Sequence, residues 1–118
     1  MIVAGFGCRA GADAASLRAA LDAAGLPADA LATLTSKASQ LAPLAQALGL
    51  PLIAIDPAQV AQMPTLTRSP ASLAAYATGS VAEAVALAAA GPGARLITAR
   101  VISPDRRATC ALATGAPA

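Results

Sequence analysis

Cys8 is the side chain of this sequence best suited to act as a nucleophile, because it follows Gly5-Phe6-Gly7 and precedes Arg9. A thiol in a turn that runs into a helix loses pKa to the helix N-terminus and to a neighbouring cation, and both lower-pKa influences are expected here. The chain has no histidine to serve as its base, so a small residue filling a tight loop is the competing role. Gly5 and Gly7 allow a backbone to approach a ligand closely, and successive amides leading into a helix form an anion site to which Arg9 adds charge. The same two glycines also make an ordinary strand-to-helix turn.

Four more groups belong with these. Lys37, after Thr35 and Ser36, follows a strand end, where it is either solvated or a carboxylate clamp. Ser80 and Glu83 have the spacing of a capping box, opened by Gly79; the Glu83 carboxylate can reach back to the Ser80 amide or face a pocket. Cys8 and Glu83 are therefore the two catalytic candidates. Arg100 stands among apolar residues of a strand and must find an edge or an anionic partner. Arg106 and Arg107 fall in a turn and read as solvated, and Cys110 reads as core.

Composition removes several function classes. Eight basic and six acidic side chains leave a net charge of +2, far from the basic stripe that phosphate-backbone binding requires. Phe6 and Tyr76 are the whole aromatic content, so no base-stacking surface exists and nucleic acid is excluded as a partner. Without histidine, and with two cysteines in separate segments, the sequence carries no metal-ligand spacing and calls for no cofactor. Apolar residues make up 57% of the chain, yet Gly, Pro, Ser or a charge interrupts every stretch before about 20 residues accumulate, so no membrane span is expected. The high figure reflects 36 alanines. The apolar start lacks the basic flank of a signal peptide, so a cytoplasmic location with reduced thiols is expected.

The elements that position these groups can be read from periodicity. Residues 2–4 form a buried strand that enters a loop over residues 5–12. Leu17, Ala20, Leu21 and Ala24 recur at helical spacing, with Asp13 as cap. Gly25-Leu26-Pro27 and Gly49-Leu50-Pro51 are two copies of one helix stop, a left-handed glycine followed by an apolar residue and a proline. The helix before the second stop carries Leu41, Leu44, Ala45 and Leu48. Strands are expected over residues 31–35 and 52–55, giving a β-α-β-α-β order and a parallel sheet. Asp56-Pro57-Ala58-Gln59 opens a short helix. Residues 63–79 read as a loop with a helical turn or as a lid. A helix from Ser80 to about Ala90 has Glu83 as its single charge, so it should be covered on most sides. Strands over residues 96–102 and 108–113 flank Ser103-Pro104-Asp105-Arg106, which suits a type I turn; residues 114–118 should fray.

One domain spans residues 1–118. Its expected fold is α/β: a layered α/β/α domain with a mixed, mainly parallel sheet of about five strands and a C-terminal hairpin. Such sheets bind ligands beyond the carboxyl ends of their strands, which selects the loops at residues 5–12 and 35–40 and the segment before Ser80. Gly5-x-Gly7-x-x-Ala10 also fits a loose dinucleotide fingerprint. That site demands an acid at the end of the next strand, where Thr35-Ser36-Lys37 stand instead, and Asp29 lies at the wrong end of the sheet.

Taken in order, Gly5-Phe6-Gly7-Cys8-Arg9, Thr33-Leu34-Thr35-Ser36-Lys37, Gly79-Ser80-Val81-Ala82-Glu83-Ala84 and Ala108-Thr109-Cys110-Ala111 resemble the CobE family and the C-terminal domain of CbiG proteins, over residues 2–113. The family usually has an acid where this chain has Gln40, and a lysine where it has Arg100; the latter keeps a cation and points to charge recognition rather than amine chemistry. The resemblance implies a role in cobalamin biosynthesis, with a corrin-ring intermediate as partner. Its carboxylates would meet Arg9, Lys37, Arg100 and loop amides. It leaves open an accessory or carrier protein, a hydrolase of a precorrin lactone or acyl fragment, and a module that docks on a pathway methyltransferase.

Overall fold

The structure, a computed structural model, describes residues 1–25, 27–61, 65 and 80–115. Five strands, β1 (Ile2–Cys8), β2 (Ala30–Leu34), β3 (Leu52–Ile55), β4 (Arg95–Ile102) and β5 (Ala108–Thr114), form one sheet in the order β3-β2-β1-β5-β4. β1 pairs in parallel with β2 and β2 with β3, whereas β5 runs antiparallel to both β1 and β4. Four strands therefore point one way and β5 alone opposes them. The β4–β5 turn accordingly lies at the same edge as the carboxyl ends of β1 to β3.

Helices α1 (Ala14–Ala24) and α2 (Ala38–Leu48) cover one face of the sheet, and α3 (Pro57–Val60) and α4 (Val81–Ala90) cover the other. The first core gathers Phe6, Leu17, Leu31, Leu41 and Leu112; the second gathers Val3, Leu34, Ile55, Val60 and Val85. This is the expected α/β/α layering. The helix stops form as read: Gly25 and Gly49 both hold left-handed backbone, with φ of 89° and 68°. Asp13 accepts from the Ser16 amide at the start of α1, and the Asp56/Gln59 capping box opens α3. None of the residues of α4 is exposed, and Ala82 to Ala86 are fully buried.

Three boundaries differ from the sequence reading. β1 continues through Gly5, Gly7 and Cys8 rather than turning into a loop at Gly5, because its ladder with β5 runs unbroken from Ile2↔Thr114 to Cys8↔Ala108. Thr114 belongs to that ladder and not to a frayed tail. Thr35 leaves β2 and, with Ser36 and Lys37, forms a single 3-10 turn before α2. The reading of residues 63–79 as a loop or lid lies outside the described residues, apart from Thr65.

Gly5 explains why a helix can pack so closely on this sheet. A β-carbon there would lie 2.2 Å from the Ala82 carbonyl oxygen and 2.6 Å from the Ala86 amide nitrogen. Gly7, on the same face of β1, would place one 2.9 Å from the Thr109 hydroxyl and 3.6 Å from the Val81 side chain. The alternating glycines thus make the groove that seats the first half of α4, which corrects the expectation that both open the backbone in a loop.

Candidate functional site

The carboxyl edge of the sheet collects the residues that follow β1 and β2 and those that open α4. Cys8 ends β1 half-buried, and Arg9 beyond it is exposed. The Thr35-Ser36-Lys37 turn follows the neighbouring strand, with Thr35 and Ser36 exposed and Lys37 half-buried. Ser80 and Glu83 are fully buried at the start of α4, whose Val81 side chain lies next to Gly7. Gly79 lies outside the described residues. Gly5 sits in mid-strand under α4, away from this edge.

The thiol of Cys8 behaves differently from the sequence expectation. Burial raises its pKa above the ordinary value, and the Lys37 charge only partly opposes this. The helix that was to lower it begins at Ala14, six residues on, so its dipole does not reach Cys8. At neutral pH the group is a thiol and a poor nucleophile. Cys110 is fully buried, and desolvation pushes it up to about 12.

Glu83 is tied through both its main chain and its carboxylate. Its backbone amide donates to the Ser80 hydroxyl at 3.3 Å, the capping bond expected from spacing. Its carboxylate accepts the Arg100 backbone amide at 2.8 Å. That amide is available because β4 carries two register shifts against β5, one between Leu96 and Thr98 and one between Thr98 and Val101. So Arg100 does meet an acid, through its main chain.

The backbone after β1 is held from two sides that the sequence did not reveal. From α2, the Gln40 side-chain amide donates to the carbonyl oxygens of Arg9, Ala10 and Ala12 at 2.9, 3.2 and 3.1 Å. From the hairpin, the Arg107 carbonyl accepts the Arg9 amide at 2.9 Å, and the Arg107 guanidinium reaches the Gly11 carbonyl at 3.4 Å. The hairpin is in turn fixed to α1. Asp105 accepts from the hydroxyls of Ser16 and Ser103 and from the Arg107 amide, and Ser16 also contacts Asp13. These bonds hold the Asp105 carboxyl down at about 2. The resemblance marks position 40, but local sequence carries no signal for the bonds that Gln40 and Arg107 make, since these depend on how α2 and the hairpin pack against the end of β1.

Among the described residues, no group of three His, Cys, Asp or Glu is placed to hold a metal ion, and no helix is long and apolar enough to cross a membrane. Two surface hollows of about 430 and 510 Å³ lie elsewhere, one between Leu21, Leu48 and Leu50, the other beside Leu87 and Gly91. Neither includes a candidate residue.

The profile of the family described as "Cobalamin synthesis G C-terminus" matches residues 2–113. This chain belongs to that family. The CbiG C-terminal fold is also seen in the crystal structure of CobE, a protein from the cobalamin (vitamin B12) biosynthetic pathway, at 36% identity and a TM-score of 0.84, covering 96% of this chain and 89% of that one. The cobalamin biosynthesis protein chiG from Agrobacterium tumefaciens str. C58 is 35% identical with a TM-score of 0.69, covering 99% of this chain and all 100% of that one. A cobalamin biosynthesis protein G homolog from Sulfolobus solfataricus, 19% identical, shares the fold at a TM-score of 0.75; 98% of this chain matches 37% of that larger one. No curated protein matches the chain. The CbiG C-terminal assignment and the α/β/α sandwich agree with the resemblance read from the four sequence segments.

Proposed function

We propose that this domain binds a corrin-ring intermediate of cobalamin biosynthesis as an accessory or carrier protein. The observation that carries the reading is the convergence of Arg9 and Lys37 on one sheet edge, beside a backbone segment that Gln40 and Arg107 hold in place. Corrin precursors are flat polycarboxylates, and fixed cations at a strand-end edge suit their acid groups. Membership in the cobalamin-synthesis family supports the same ligand class.

Binding is favoured over hydrolysis for two reasons. Cys8 is held as a thiol, and no histidine stands by to activate it. Glu83 is fully buried, with its carboxylate already committed to the Arg100 amide. Titration with hydrogenobyrinic acid tests the reading: the visible spectrum should shift on binding, and Arg9→Ala or Lys37→Ala should weaken the shift. An unchanged spectrum at high protein concentration refutes it. Cys8→Ser and Glu83→Gln should still bind, whereas consumption of a lactone-bearing precursor that either substitution abolishes would transfer the assignment to a hydrolase.

A further inference from the structure

Arg9 and Arg107 face one another across the end of the β1–β5 ladder. The register that pairs Cys8 with Ala108 places Arg9 opposite Arg107 at the next step, and the 2.9 Å bond from the Arg9 amide to the Arg107 carbonyl confirms it. Directly opposed residues of antiparallel strands have α-carbons about 5 Å apart, and like charges so placed destabilise the pair. Among the described residues the single ion pair is Arg18–Asp22, at the other end of α1, so no carboxylate offsets this repulsion by direct contact. Asp105 is the nearest acid in the turn. Its oxygens are occupied by Ser16, Ser103 and the Arg107 amide, not by a guanidinium.

The pair is also fixed in place. Gln40 anchors the carbonyl of Arg9, and the Asp105 network anchors the turn that carries Arg107. Two exposed guanidiniums on clamped backbones, neither in an ion pair among the described residues, form a receptor for an anion that accepts from both; Arg107 touches the Gly11 carbonyl at 3.4 Å and feels Asp105 only through space. Lys37, which acts on adjacent Cys8, supplies a third charge nearby.

We infer that Arg107 is a ligand-binding residue which, with Arg9, clamps a single carboxylate of the bound polyacid. The inference rests on the corrinoid reading for the ligand's identity, but the clamp itself is defined by carboxylate chemistry alone. Arg107 would then be the contribution of the C-terminal hairpin to a site otherwise built from the strand ends.

Two measurements separate the clamp from the corrinoid reading. In the first, hydrogenobyrinic acid affinity is measured for the wild type, Arg107→Gln, Arg9→Gln and, as a control at the opposite edge, Arg95→Gln. Loss of a charge-assisted contact should weaken binding by about tenfold or more in each of the first two variants and leave the control within about twofold. Wild-type binding with an unaffected Arg107→Gln variant overturns the clamp and leaves the corrinoid reading standing. In the second, thermal melting is followed with millimolar tricarballylate against sodium chloride at equal ionic strength. A wild-type stabilisation specific to the tricarboxylate, absent in Arg107→Gln and Arg9→Gln, supports the clamp even if no corrin acid binds. Equal melting in both salts overturns it.

Discussion

At the residue scale, the most constrained position is Gly5. Its missing β-carbon is occupied by the backbone of α4, at 2.2 Å from one oxygen and 2.6 Å from one nitrogen, and main-chain atoms cannot rotate aside as a side chain can. Gly5→Ala must therefore lift the helix from the sheet. The expected loss is about 3 kcal/mol or more, at the upper end of overpacking costs, measured by urea denaturation; a loss under about 1 kcal/mol would show that α4 seats more loosely than the geometry requires. Glu83 offers a second residue-scale test on the same helix. Glu83→Ala strands the Arg100 amide at the bulge in β4 and should cost about 1–3 kcal/mol, whereas Glu83→Gln retains an acceptor oxygen and should cost less. Equal losses from both substitutions would mean that the carboxylate charge, and not the hydrogen bond to β4, is what matters.

At the scale of elements, the β4–β5 hairpin is held to the start of α1 by one carboxylate. Asp105 has its pKa lowered to about 2 from 3.8, chiefly by the hydroxyls of Ser103 and Ser16 and by the Arg107 amide. Asp13 is lowered in the same direction, first by the Ser16 amide. A carboxyl depressed in the folded state adds stability above its ordinary pKa and loses it as protons bind. The contribution of Asp105 should thus be complete near neutrality and disappear as pH falls from about 4 to about 2. Asp105→Asn should melt below the wild type at pH 7, with the difference narrowing through that interval; a constant difference would show that the bonds do not depend on charge. What sequence could and could not reveal divides along the same line. The helix stops at Gly25 and Gly49, the Asp13 and Ser80 caps and the terminal hairpin are local patterns, set within a few residues, and they were legible. The pairing of β5 with β1 is set by contacts about a hundred residues apart. It stayed hidden, and with it the extension of β1 through Gly7, the groove for α4 and the meeting of Arg107 with Arg9. The candidate site was legible only as a set of strand-end residues, because Cys8, Lys37 and Ser80 follow from topology while Gln40 and Arg107 follow from packing.

At the scale of the whole molecule, charge is arranged locally and not as a field. The carboxyl edge that carries Arg9, Lys37, Arg106 and Arg107 also carries Asp13, Asp56 and Asp105, and the chain as a whole has a net charge of +2. Beyond a screening length of about 8 Å at physiological salt, these signs largely cancel. Long-range steering of a polyanion should therefore be weak, and the proposed binding would rest on a few close contacts made by guanidiniums on anchored backbones. This separates the protein from binders that rely on a concentrated basic surface, whose affinity falls by orders of magnitude over a modest rise in salt. For hydrogenobyrinic acid, raising sodium chloride from about 50 to about 200 mM should reduce affinity by no more than about 10- to 40-fold, in line with two or three anion contacts. Most of that salt sensitivity should vanish in the Arg9→Gln, Arg107→Gln double variant, because the contacts that displace ions would be gone. A salt effect of a thousandfold in the wild type, or one that persists undiminished in the double variant, would mean that the ligand is drawn by a wider basic surface than the one these residues form.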